Sequence, residues 1–173
     1  IDGRTYADVG FDQWSASGLA VAWAEENTRD SIFQAFKRKE TFATTGTRIA
    51  VRFFAGFDMD SIDLNSEDMV SNAYEKGVTM GADLFSQNNQ TPQFLVWAQR
   101  DKLGAPLQRV QIIKGWVENA SGTPKEKVYD VACSDGLSVD SLTNRCPDNG
   151  ARVNISDCSI SNDVGAGELK TTW

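Results

Sequence analysis

Arg48-Ile49-Ala50-Val51-Arg52-Phe53-Phe54 is the stretch that decides the fold class. Apolar side chains alternate with other residues there, and β-formers are abundant, a pattern typical of a strand with one face in the core. Further strands are predicted downstream, with turn-forming residues between them; they cover residues 78–84, 94–99, 109–118, 127–132, 153–155 and 167–173. Several short strands separated by turns predict a mainly β protein with an antiparallel β-sandwich-like domain.

Upstream of this strand the sequence predicts a short buried strand over residues 19–24, followed by a helix. Asn27 or Thr28 can cap the helix, because both side chains can accept a hydrogen bond from a backbone N–H of the first turn. Phe33 and Phe36 lie on one helix face, so we expect both to be buried.

The charge of the chain restricts its partners. The net charge is -7 at pH 7, which argues against a nucleic-acid partner, because phosphate binding needs a basic patch. No apolar run approaches the roughly 20 residues of a membrane-spanning helix, so we expect no membrane span.

Seven segments, taken in order, resemble a known family. They are Ala22-Trp23-Ala24-Glu25-Glu26-Asn27-Thr28, Ser31-Ile32-Phe33-Gln34-Ala35-Phe36, Thr41-Phe42-Ala43-Thr44-Thr45-Gly46, Val51-Arg52-Phe53-Phe54-Ala55-Gly56, Gly77-Val78-Thr79-Met80-Gly81-Ala82-Asp83-Leu84, Gln111-Ile112-Ile113-Lys114-Gly115-Trp116 and Glu168-Leu169-Lys170-Thr171-Thr172-Trp173. The first three resemble the closing segment of PHP-type (polymerase and histidinol phosphatase) metal-dependent phosphoesterase domains. Taken together, the segments are similar to a large bacterial family of uncharacterised proteins built on that domain.

This resemblance implies a division of the chain. Residues 1–47 would be the last strand and helix of a PHP-like α/β domain, and residues 48–173 a β-sandwich-like accessory domain that lacks its final strand. PHP-type sites hold metal ions with His, Asp and Glu ligands, whereas this chain has 0 His. We therefore expect the chain itself to contain no catalytic residue, no metal ligand and no cofactor. Any divalent metal would be bound by the longer parent protein.

Two candidate ligand-binding sites lie in the first third of the chain. Glu25 and Glu26 lie at a strand-to-helix junction, where a carboxylate can bind a metal or orient a ligand hydroxyl. The structural alternative is that they complement the helix dipole. Thr45 and Arg48 flank Gly46 in a hydroxyl-rich turn that could hold an anion. Its structural alternative is a helix-to-strand connection in which Gly46 takes a positive φ.

The three cysteines are Cys133, Cys146 and Cys158. No C-x-x-C pair is present, and three thiolates without His make a poor zinc site. We predict a disulfide between Cys146 and Cys158, which would cross-link a loop-rich region and indicate an exported, periplasmic protein in a bacterium. The alternative is three reduced thiols in a cytoplasmic protein.

Two hypotheses for function follow. The first is a non-catalytic part of a PHP-like metal-dependent hydrolase that supports the catalytic domain or shapes its substrate cleft; whether the parent is an active enzyme stays open. The second is a β-sandwich binding module for carbohydrate or a surface partner. We expect the remainder of the polypeptide as the main partner. If the last sheet edge lacks a strand, a second copy could also pair with it.

Overall fold

The computed structural model describes residues 18–85, 90–118 and 121–173, and this part of the chain is mainly β, as the sequence predicts. The strands pair antiparallel throughout these residues. In chain order the elements are β1 (Ala20–Ala22), α1 (Arg29–Lys37), β2 (Thr41–Ala43), β3 (Ala50–Gly56), a 3₁₀ turn (Met59–Ser61), α2 (Met69–Lys76), β4 (Gly77–Thr79), β5 (Gln93–Gln99), β6 (Arg109–Val117), β7 (Pro124–Cys133), β8 (Val153–Asn154), β9 (Ser159–Ile160) and β10 (Glu168–Thr172).

A four-stranded sheet in the order β10-β5-β3-β4 is the centre of the molecule. Its two faces bury different side chains, because successive residues of a strand point to opposite sides. On one face Phe54 lies opposite Leu95 in the strand register, and both are 0% exposed. They pack with Met69 and Ala73 of α2 and with Met59 of the 3₁₀ turn. Met59, in the connection between β3 and α2, therefore contributes to the core.

Strand β7 and the start of β6 pack against the other face of this sheet, whereas the rest of β6 is mostly exposed. Val110 of β6 packs with Val96 and Ala98 of β5, and Leu107 joins the same cluster from the loop before the hairpin. Two packed antiparallel layers, with apolar side chains between them, give the sandwich-like arrangement that the sequence predicts.

The segment that precedes the sheet forms a strand–helix–strand unit. Helix α1 is capped by Thr28, whose Oγ1 accepts a hydrogen bond from the Ser31 N–H at 3.3 Å. The expectation that Phe33 and Phe36 are buried is wrong, because 57% and 52% of these residues are exposed. The helix instead turns Ala35, which is 0% exposed, toward the body of the protein.

The disulfide joins Cys133 to Cys146, with 5.7 Å between their Cα atoms, and Cys158 is free and exposed. The predicted Cys146–Cys158 bond is therefore wrong. Strand β7 delivers Cys133 to the loop that carries Cys146, whereas Cys158 lies in the separate β8–β9 turn. A disulfide persists in oxidising compartments, so the bond favours an exported protein.

Asp130 anchors the same loop from the middle of β7. Its carboxylate is fully buried and pairs with Arg109 at 3.0 Å and with Arg145 at 3.4 Å. It also accepts hydrogen bonds from the Gln111 side chain at 2.6 Å and from the Cys146 N–H at 2.7 Å. Burial alone would raise the pKa of Asp130, but these hydrogen bonds outweigh burial and hold the pKa below its usual value.

None of the helices in the described ranges is both long and apolar enough to cross a bilayer.

Candidate functional site

Glu25 and Glu26 both lie exposed between β1 and α1, but they border two different clefts. The Glu26 N–H donates to Ser31 Oγ at 3.1 Å, so its backbone helps to fix the start of α1. Glu25 borders a cleft lined mainly by charged and aromatic side chains, the polar cleft. Glu26 borders a groove lined mainly by Ala, Val, Ile and Phe side chains, the apolar groove. The two carboxylates therefore do not form one paired site.

Thr45 and Arg48 border neither of these two clefts. Gly46 between them has φ +76°, as the structural alternative predicts. The Arg48 N–H donates to Asp101 Oδ2 at 2.9 Å, which fixes the turn to the loop after β5. This hydrogen bond is the largest cause of the lowered pKa of Asp101.

The polar cleft lies between the strand–helix–strand unit and the sheet, and it encloses about 470 Å³. Its side chains come from four places in the sequence: the residues after β1, the residues between α1 and β2, strand β3, and helix α2. They are Trp23, Ala24, Glu25, Arg38, Glu40, Arg52 and Tyr74. Only the folded chain brings them together.

Glu40 is the buried acid of this cleft, with 7% of the residue exposed. Its Oε1 accepts a hydrogen bond from Arg38 Nε at 3.1 Å, and its Oε2 accepts one from the Tyr74 hydroxyl at 3.1 Å. The backbone of Glu40 accepts from the Trp23 N–H at 2.9 Å, next to the β1–β2 ladder. Its carboxylate is therefore held in place by both the helix end and α2.

Arg52 is fixed from two sides. Its guanidinium carbon lies 4.0 Å from the centroid of the Trp23 ring, which is a favourable cation–π arrangement. Its Nη1 donates to the Tyr74 hydroxyl at 3.2 Å. The Trp23 ring is itself held by its Nε1–H, which donates to the Val51 carbonyl at 3.0 Å.

Sequence reasoning missed Arg38, Glu40, Arg52 and Tyr74 as site residues. One signal was available. Arg52 is a polar residue in an alternating strand, so its side chain had to point to the sheet face opposite to that of Val51 and Phe53. The contacts to Glu40 and Tyr74 had no signal in the sequence, because they join residues 22 and 34 positions apart.

Within residues 18–85, 90–118 and 121–173, no three His, Cys, Asp or Glu side chains are grouped closely enough to hold a metal ion. The divalent metal of a parent enzyme stays a prediction.

The apolar groove beside Glu26 encloses about 440 Å³. One wall is strand β1, and the other is formed by Ile32 and Phe36 of α1. Phe33, on the same helix, is more exposed than Phe36. The groove therefore joins a strand edge to an exposed aromatic helix surface.

The fold and these clefts define a mainly β protein whose polar cleft lies between a strand–helix–strand unit and an antiparallel sheet. Residues 3–173 match the model of the family described as "Protein of unknown function (DUF3604)", and the chain belongs to that family. No curated protein and no solved structure matches the chain.

Proposed function

We propose that this chain is a non-catalytic part of a PHP-like metal-dependent hydrolase, of the phosphoesterase type, and that it supports the catalytic domain beside its substrate cleft. The catalytic domain would supply the metal ligands. The strand–helix–strand unit, residues 18–47, would be the element that contacts it, and the sheet from residue 48 onward would be the accessory domain. The parent would work in the periplasm of a bacterium.

The apolar groove is the observation that carries this proposal. Phe33 and Phe36 expose more than half of their surface, and burying a Phe side chain contributes about 1.5–3 kcal/mol. An aromatic surface next to an open groove is typical of a protein–protein or interdomain contact.

The edge of β1 indicates what would fill the groove. Within the described residues β1 pairs with β2 alone, and an isolated two-stranded sheet is marginally stable. A further strand from the catalytic domain would extend this sheet through backbone hydrogen bonds and cover Phe36. The occupant we propose is therefore the remainder of the same polypeptide.

The decisive test is the gene sequence upstream of the codon for Ile1. We expect it to encode clusters of His, Asp and Glu with PHP-like spacing. A start codon directly before Ile1, or an upstream region without such clusters, would overturn the proposal.

A second test measures the contact itself by hydrogen exchange. In the longer polypeptide, amides of β1 and α1 should exchange more slowly than in this chain alone. Phe36→Asp should remove that protection, whereas Phe85→Asp, at a residue that is 78% exposed outside the groove, should leave it unchanged. Equal exchange rates in the long and short chains would contradict the docking role.

The binding-module hypothesis has weaker support. Four aromatic rings form a row across the sandwich, Phe53, Phe94, Trp173 and Tyr129, with neighbouring centroids 4.9–5.9 Å apart. Only Trp173 in this row is exposed, at 42%, so the row belongs mainly to the packing between layers. Such a row offers little flat surface to a sugar ring.

Association between copies remains a prediction. Strand β10 is an edge of the four-stranded sheet, and its outer side takes no further strand within the described residues. We expect two copies to pair through this edge, because an unpaired edge exposes backbone donors and acceptors. Light scattering over a range of concentrations measures this, and a monomer at every concentration would contradict it.

A further inference from the structure

We propose that the polar cleft binds the carboxylate of a sugar acid, with Arg52 as the main anion-binding group and Glu25 as an acceptor for sugar hydroxyls. This inference concerns other side chains than the apolar groove and does not depend on the docking proposal. It can be tested on this chain alone.

The geometry of Arg52 is the first argument. One edge of its guanidinium is held by Tyr74 and one face by Trp23. Within the described ranges its Nε and Nη2 donate to no protein acceptor. A guanidinium that is already oriented, with donors left over, binds a carboxylate without losing further side-chain freedom.

Tyr74 does not occupy the Arg52 donors that we assign to the ligand. Its single hydroxyl proton is donated to Glu40, at 3.1 Å, and its oxygen accepts from Arg52. The position of the hydroxyl is therefore fixed by the buried acid behind it. Glu40 acts as a positioning residue for Arg52 through Tyr74.

The charge of the cleft selects the kind of anion. Arg38 and Arg52 contribute two positive charges, and Glu25 and Glu40 contribute two negative ones. Glu40 is paired with Arg38, so the exposed Glu25, which borders the same cleft, is the acid left to act on an anion at Arg52. A singly charged carboxylate suits this balance better than a doubly charged phosphate, which Glu25 would repel more strongly.

Glu25 is also the reason why we propose hydroxyl groups on the ligand. A carboxylate such as Glu25 accepts hydrogen bonds and donates none, and hydroxyl groups are its natural partners. Stacking is not available to hold a neutral sugar on Trp23, because the ring contacts the Arg52 guanidinium and lies 5.7 Å from Phe42. Recognition in this cleft is polar, so a neutral sugar lacks the group that Arg52 binds.

The test is a titration of the ¹⁵N-labelled chain with D-glucuronate, followed by NMR of the arginine Nε–H and tryptophan Nε1–H signals. We expect the Arg52 and Trp23 signals to shift with a Kd on the order of 1 mM, as a ligand of this size allows. D-glucose is the neutral control and D-glucose 6-phosphate the doubly charged one. Both should bind more weakly than glucuronate.

Three variants separate the roles of the residues. Arg52→Gln should weaken glucuronate binding about tenfold or more, since hydrogen bonds to charged groups contribute roughly 1.5–3 kcal/mol. Tyr74→Phe, which keeps every charge, should weaken it by a smaller factor. Arg29→Gln, at an exposed arginine of α1 outside the cleft, is the matched control and should bind as the unaltered chain does.

Each outcome decides the proposal. No shift with glucuronate, or equal affinity in Arg52→Gln, would overturn the site. Tighter binding of glucose 6-phosphate than of glucuronate would overturn the carboxylate assignment. Circular dichroism establishes that each variant is folded, and if Arg52→Gln fails to fold, Tyr74→Phe and the order of the three sugars still test the cleft.

Discussion

At the scale of a single residue, two aspartates form the same kind of ion pair but differ in how much that pair contributes to stability. Asp130 pairs with Arg109 and has a fully buried side chain. Asp148 pairs with Arg152 at 2.7 Å, but both of these side chains are more than 60% exposed. Water replaces the lost partner of an exposed pair, whereas a buried pair leaves donors unsatisfied when one member is removed.

Asp130→Ala should therefore lower the free energy of unfolding by about 3–5 kcal/mol, the usual cost of breaking a buried pair. The Gln111 and Cys146 donors lose their acceptor as well. Asp148→Ala is the matched control, and its unfolding midpoint should stay close to that of the unaltered chain, because water replaces the lost partner. Urea unfolding of both variants measures the difference, and equal midpoints would contradict the anchoring role of Asp130.

Asp130 should also make the fold sensitive to acid. Its pKa is lowered in the folded protein, so its contribution to stability is complete above the unfolded-state pKa of about 3.9. That contribution is lost as the pH falls through the lowered folded-state pKa. Between about pH 5 and pH 2 the unfolding free energy should fall less steeply in Asp130→Asn than in the unaltered chain. Parallel slopes would contradict this.

Helix α1 shows at the element scale that a periodic apolar face is not always a buried face. Phe33 and Phe36 share a side of the helix, yet the side toward the body of the protein carries Ala35. The sequence pattern predicts the helix and its Thr28 cap correctly, because both depend on neighbouring residues. It cannot predict which partner covers the helix, since that partner lies elsewhere in space.

Phe54→Ala should cost about 3–5 kcal/mol of stability, because Phe54 is fully buried against Tyr74 and Leu95. Phe33→Ala in this chain should change stability by only about 0.5 kcal/mol, as most exposed substitutions do. The two variants make the same chemical change and differ in burial. Similar losses in thermal unfolding would mean that the exposed face of α1 is covered in solution.

Most long strands were predictable from the sequence, whereas the short strands β2 and β9 were not. Strands β5 and β6 lie within a residue of their predicted bounds, because each has a clear run of suitable residues. Strand β2 has only three residues, and its extended form depends on pairing with β1. The polar cleft was unpredictable for the same reason, because Glu40 and Tyr74 become neighbours only after α2 packs on the sheet.

The disulfide determines thiol chemistry at the scale of the whole molecule. Thiol counting on denatured, non-reduced protein should find one free thiol, and mass spectrometry should place it at Cys158. Replacing Cys133 and Cys146 together by Ala should cost roughly 3 kcal/mol, the chain-entropy value for a loop of this length. Cys158→Ser should cost almost nothing. A free thiol at Cys133 would contradict the bond.

Because β10 pairs with β5, the four-stranded sheet cannot be completed until the end of the described chain has been synthesised. Trp97 on β5 and Glu168 on β10 are hydrogen-bonded neighbours that lie 71 positions apart in the chain. Synthesis proceeds at roughly 5–20 residues per second, so β5 waits several seconds without one of its two flanking strands. During that interval the apolar residues of β5 can pack incorrectly against other segments or other chains. We therefore expect the nascent chain to need a chaperone at that stage, and this need should end once residues 168–172 have emerged.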